Sequence, residues 1–147
     1  MNRLFAFSVV LVTMVGCSKP VSKDEARAWL VKPEAWLLKQ VTVNQKPVFK
    51  DGEVIEQFGE VSFSRYMEAV SFTEDGRFSG KFKGDHRLVS FQWVSGEDAV
   101  LVRDTVPNSG EWVIPYRTLT EESFEMETET TAFDPPNRTK IKLYFGR

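Results

Sequence analysis

From Trp36 onward, apolar residues return at every second position. Val70 and Phe72 alternate with Ser71 and Thr73, and Phe78 and Phe82 with Ser79 and Lys81. Val89, Phe91 and Trp93 alternate with Ser90 and Gln92, and Trp112, Ile114 and Tyr116 share one face. Phe124 and Met126 follow the same rule, as do Ile141, Leu143 and Phe145. Strands with one buried and one wet face produce this period of two. It predicts eight strands, over 36–44, 66–73, 77–83, 88–95, 98–103, 111–118, 123–130 and 138–146. Turn chemistry separates most of them: Glu74-Asp75-Gly76, Gly84-Asp85, Ser95-Gly96-Glu97, Pro107-Asn108-Ser109-Gly110 and Asp134-Pro135-Pro136-Asn137. Strand and helix do not alternate, which excludes a parallel sheet.

Before Trp36 the period is helical. Ser22-Lys23-Asp24-Glu25 is a capping box, in which the Ser22 hydroxyl and the Glu25 carboxylate each accept from the other residue's amide. Ala26, Trp29 and Leu30 then fall on one face, and Pro33 stops the helix near Val31. So short a helix holds only by packing that face on something else. The expected fold is all-β: an eight-stranded antiparallel up-and-down barrel, closed at one end by the N-terminal helix over 22–31. Closure removes exposed sheet edges; a two-sheet sandwich is the alternative arrangement. Pro115 deletes a ladder hydrogen bond, so a bulge or local opening is expected there. Glu125, Glu127 and Glu129 share the outer face of one strand, and Lys140 and Lys142 that of the next. A hairpin pairing Glu129 with Lys140 and Glu127 with Lys142 sets opposite charges across from each other. A solvated strand face explains this acidic stripe without a ligand.

The first residues follow neither period. After Arg3, Leu4 to Val15 is apolar apart from Ser8 and Thr13. That run is too short to cross about 30 Å of hydrocarbon but suits the core of a signal peptide. It ends Met14-Val15-Gly16-Cys17, which resembles the bacterial lipobox. The resemblance implies cleavage before Cys17 and acylation of Cys17, which then anchors the chain to a lipid bilayer. Several acyl chains make a durable anchor where one is marginal. The division expected is a signal peptide over 1–16, a lipidated tether over 17–21 and one domain over 22–147. Ser18, and not Asp, follows Cys17. The sorting rule of such lipoproteins then implies the periplasmic face of the outer membrane.

Composition narrows the function. The net charge is −2 over 147 residues, and removal of Arg3 makes it more negative by one. Without a basic block, nucleic acid is not an expected partner. One cysteine excludes an internal disulfide, and one histidine argues against a zinc site. No cofactor loop or nucleophile elbow is present. His86, between Asp85 and Arg87 in a turn, reads as a turn residue and not a general base. An enzyme is not expected, nor a metal or cofactor.

Four stretches carry a wider likeness: Ala35-Trp36-Leu37-Leu38-Lys39, Val70 to Phe78, Tyr116 to Glu121, and Lys142-Leu143-Tyr144-Phe145. Over about residues 22 to 147 the chain resembles the lipocalin-like members of the calycin superfamily found among bacterial lipoproteins. The family's short helix across one barrel end matches Ser22–Val31. Barrels of this size either fill with side chains or hold one small ligand. Both outcomes stay open: a packed aromatic core, or a pocket for a small apolar molecule. In the second case Phe91, Trp93, Trp112 and Tyr116 line the interior. Gln40 and Thr42, taken on the same face as Trp36 and Leu38, then orient a head group. The long 45–66 connection is expected to fold over one end as a lid. A different class of role is an adapter that presents the 45–66 segment or the region of Pro115 to another cell-envelope protein.

Overall fold

The computed structural model describes residues 21–58, 66–104 and 110–147. The signal peptide, Cys17 and most of the tether lie outside the described residues, as do Val61, Phe63 and the Pro107-Asn108-Ser109 part of one turn. Helix α1 (Lys23–Leu30) is followed by β1 (Trp36–Val43), β2 (Lys46–Lys50), β3 (Glu53–Val54), β4 (Met67–Phe72), β5 (Arg77–Phe82) and β6 (Leu88–Ser95). The remaining strands are β7 (Ala99–Arg103), β8 (Glu111–Pro115), β9 (Ser123–Thr130) and β10 (Thr139–Gly146), with a 3-10 turn over Tyr116–Thr118 between β8 and β9. Every pairing is antiparallel between chain neighbours except β1 with β4 and β1 with β10. The second of these closes an eight-stranded up-and-down barrel of β1 and β4 to β10.

The capping box forms: the Ser22 hydroxyl accepts from the Glu25 amide at 3.3 Å, and the Ser22 amide donates to Glu25 Oε2 at 3.0 Å. Ala26 and Leu30 are fully buried and Trp29 partly so. The helix is tied to the rest by Trp36 Nε1, which donates to the Leu30 carbonyl at 3.2 Å, and by Arg147, which donates to the Trp29 carbonyl at 2.9 Å. Arg27 also donates to the Glu74 carbonyl in the β4–β5 turn. These contacts place α1 at the end of the barrel that holds the start of β1, the β4–β5 turn and the C-terminus. This end is the base, and the other is the mouth.

Three local features depart from the sequence expectation. The 45–66 connection is not a simple lid: its first part is the β2–β3 hairpin, which pairs with the mouth half of β1. Asn44 and Gln45 (φ 48 and 70) turn β1 into β2, and Asp51 and Gly52 (φ 49 and 90) turn β2 into β3. Positive φ at both central residues matches the right-handed twist of hairpin strands. Second, β1 has an irregularity at Lys39: Leu38 pairs with Phe145, but Gln40 pairs with Tyr144. One extra residue shifts every later side chain to the opposite face. Third, β8 ends at Pro115. Tyr116 therefore sits in the 3-10 turn at the base and not on a strand.

The charged hairpin has the expected register, Lys140 opposite Glu129 and Lys142 opposite Glu127. Its ion pairs run one step diagonally: Lys142 lies 3.0 Å from Glu125, Lys140 3.2 Å from Glu127 and Arg138 3.3 Å from Glu129. The Glu125 hydrogen bond, more than the Coulombic attraction, raises the Lys142 pKa above its ordinary value.

Candidate functional site

The lumen divides along its length. At the base, Trp36, Phe72, Phe78, Trp93, Phe124 and Phe145 are each at most 2% exposed. Their rings touch edge to face: Trp36 on Phe124 at 5.1 Å, and Phe72 on Phe78, Trp93 and Phe124 at 5.1, 5.7 and 5.8 Å. Phe124 and Phe145 stack at 5.0 Å. Such geometries add about 0.5–1.5 kcal/mol per pair beyond area burial. Both indole N–H groups are satisfied, that of Trp93 by the Thr73 carbonyl at 3.1 Å. Two cations cap the cluster, Arg147 at 3.8 Å from the Trp36 ring centre and Arg27 at 5.2 Å from that of Trp93.

Toward the mouth the inward positions are apolar and unevenly buried: Val41 and Val43, under the β2–β3 hairpin, are 6% exposed each, while their partners Leu143 and Ile141 are only partly buried. Phe91, opposite Phe78 with ring centres 5.8 Å apart, and Trp112 are partly buried as well, as are Met67 and, against Phe49 of β2 at 4.6 Å, Tyr66. Inward-facing Gly80 supplies no side chain, and the Met67 sulfur fills the space above it, 2.6 Å from where a Cβ would stand. Methionine adapts to irregular space, so this stretch of wall can rearrange.

The sequence-chosen residues therefore separate. Trp93, Val102 and Trp112 are in-register neighbours across β6, β7 and β8, with Phe91 one inward step further along β6. Trp93 belongs to the packed base and Phe91 and Trp112 to the half-open wall. Tyr116 is buried at the base, where its hydroxyl donates to the Gly96 carbonyl at 3.2 Å; burial raises its pKa above the usual 10.0. Gln40 and Thr42 are not on the face of Trp36 and Leu38. The bulge at Lys39 turns them to the face of their partners Tyr144 and Lys142, opposite to that of Val41 and Val43, where Thr42 is buried at 4% exposure and Gln40 partly so. Sequence reasoning passed over Tyr66, Met67 and Gly80, because only the return of β4 to the mouth brings them to the wall.

Two clefts lie elsewhere on the described surface. One of about 260 Å³ is lined by Val43, Asn44, Lys46, Val48, Glu56, Gln57 and Phe58. The other, of about 350 Å³, lies between β8 and β9 and is lined by Glu111, Val113, Glu127, Thr128, Glu129 and Lys140. Among the described residues no group of three His, Cys, Asp or Glu is placed to hold a metal, and no helix is long and apolar enough to cross a membrane.

No protein-family model and no curated protein matches the sequence. Among solved structures, the chain is similar to the bovine lipocalin allergen Bos d 2, at 13% identity and a TM-score of 0.45, over 82% of this chain and 73% of that one. It is similar also to bovine odorant-binding protein in complex with a selenium-containing odorant, at 14% identity and a TM-score of 0.43, over 77% of this chain and 70% of that one. Aphrodisin, a sex pheromone from female hamster, matches at 10% identity and a TM-score of 0.43, over 78% and 73%. At identities this low, the barrel's architecture rests on this chain's own strand pairing.

Proposed function

We propose that the chain is a bacterial lipoprotein whose barrel holds a small apolar molecule in the mouth half of its lumen. The observation that carries the ligand reading is the half-buried inward wall of Phe91, Trp112, Ile141 and Leu143 above a solid aromatic base. Apolar side chains facing inward yet reached by solvent are what a small-molecule pocket presents. Anchoring rests on the lipobox-like Met14-Val15-Gly16-Cys17 alone. Acylated Cys17 then ties the base end to the periplasmic face of the outer membrane, because α1 follows the tether directly and lies at the base.

Titration with the fluorescent fatty acid dansyl-undecanoic acid tests the pocket. Saturable binding that changes sharply in Trp112→Ala, but not in the outward-facing Gln40→Ala, supports it; no saturable binding rejects it. Cys17→Ser tests the anchor, since an unprocessed precursor or a soluble product is expected.

A second reading, an adapter for another envelope protein, has one observation in its favour. Val94, Leu101 and Val113 stand in register across the outer face of β6, β7 and β8, with Val94 51% exposed. Co-purification of a protein lost on Leu101→Asp, with no apolar mass bound, would place this reading first.

A further inference from the structure

The barrel wall is not equally sealed around its circumference. β9 and β10 share eight ladder pairs and β7 and β8 share five, whereas β1 and β4 share two and β8 and β9 only one, Val113 with Glu127. Each side of that pair has a physical cause of separation. Toward the base, Pro115 has no amide hydrogen to give to β9. Toward the mouth, the register set by Val113 and Glu127 would bring Glu111 directly opposite Glu129. Like charges facing each other across a ladder are destabilising.

The two carboxylates are drawn away from the seam in opposite directions. Glu111 pairs with Arg103 on β7, and Glu129 with Arg138 just before β10. Glu127, between them, is held by Lys140 and Lys142. Where the ladder fails, the Thr128 hydroxyl replaces it, donating to the Glu111 carbonyl at 2.8 Å. The cleft of about 350 Å³ occupies this place. Behind it, on the inward side of β8, stands half-buried Trp112.

We propose that the β8–β9 seam is a lateral portal, through which an apolar molecule passes the wall beside Trp112. This rests on the ligand reading above and adds the route to it. A seam with one ladder pair and a side-chain bridge opens at lower free energy than a fully paired one. Opening separates Glu111 from Glu129, so their repulsion favours the open form, and Thr128 favours the closed form.

Stopped-flow binding of dansyl-undecanoic acid to the full chain tests this with opposed variants. Glu111→Gln with Glu129→Gln removes the repulsion, and association and release should both slow by roughly two- to fivefold at unchanged affinity. Thr128→Val keeps the shape but removes the bridge, and both rates should rise by a similar factor. Phe133 lies in the β9–β10 connection at the mouth and is 48% exposed, so Phe133→Ala should leave the rates alone. Hydrogen exchange provides the second readout: amides of β8 should exchange faster than those of β10, and slow in the double Gln variant. Rates indifferent to both seam variants, or rates that answer to Phe133→Ala instead, overturn the portal while leaving the pocket standing. A wild type that binds no probe removes pocket and portal together, and is recognised by the missing binding signal.

Discussion

The two halves of this barrel are built from the same residue types and behave differently. At the base, six aromatic rings meet edge to face or stacked beneath a capped helix, and two arginines cover the indoles. Toward the mouth, Phe91, Trp112, Ile141 and Leu143 point inward as well, but no helix covers them and none is fully buried. Hydrophobicity alone does not separate a core from a pocket. What separates them is whether neighbouring elements complete the enclosure, and α1 does so at one end only.

The largest expected effect breaks the base. Phe124 touches Trp36, Phe72 and Phe145 and is 1% exposed, so Phe124→Ala removes the ring common to three contacts. A loss of about 3–5 kcal/mol of unfolding free energy in urea is expected. Trp93→Ala belongs to the same class, since its indole is 2% exposed and its N–H is bonded. A small loss at either position would mean that the base is no more solid than the mouth.

The next effect is the counterpart across the comparison. Trp112→Ala removes a ring of the same kind from a half-buried site, and about 1–2 kcal/mol should be lost. Its larger consequence should be on affinity for an apolar probe. If Trp112→Ala costs as much stability as Trp93→Ala and the probe is unaffected, the mouth half is packed core and the distinction fails.

Much of the fold could be read from the chain beforehand, the division of its lumen could not, and the misses have physical causes. All eight barrel strands carry alternation, because each packs one face on the lumen. The β2–β3 hairpin was harder, because Val48 and Phe49 are buried side by side and Pro47 interrupts the strand pattern. Its clue was present in Asp51-Gly52, a strong tight-turn signal. The bulge at Lys39 left a trace too: apolar positions run 36, 38 and then 41, 43, a slip of phase within one strand. Extending the first phase through that slip put Gln40 and Thr42 inside the lumen. The difference between Phe91 and Trp93 had no local signal. Both are inward aromatics two residues apart, and only the placement of α1 and the β4–β5 turn makes one of them core.

A smaller effect concerns what closes the base. Ser22→Ala removes the hydroxyl that accepts from the Glu25 amide and should cost about 1 kcal/mol. The loss is expected as faster hydrogen exchange through α1 and a lower unfolding midpoint, with apolar-probe affinity unchanged. A change in affinity instead would tie the helix to the mouth and blur the two halves.

The smallest effect appears only at high pH and reports on the base alone. Tyr116 is buried there, and loss of solvation raises its pKa above 10.0. Below that value the phenol is neutral in both folded and unfolded chains and contributes no slope. As pH rises through about 10, the unfolded chain releases the proton while the folded chain keeps it. The unfolded state is then favoured increasingly, until the folded phenol ionises too. Stability tied to this group is thus present below pH 10 and is lost above it. Tyr116→Phe removes the titrating group, together with the hydrogen bond to the Gly96 carbonyl, at about 1 kcal/mol near neutrality. The readout is the difference between the two proteins' urea stabilities from about pH 8 to 11, in which every group they share cancels. That difference should be flat up to pH 10 and then shrink, as the wild type loses its advantage. A difference that stays flat throughout would mean that water reaches the Tyr116 hydroxyl, and that the base is less sealed than its ring contacts indicate.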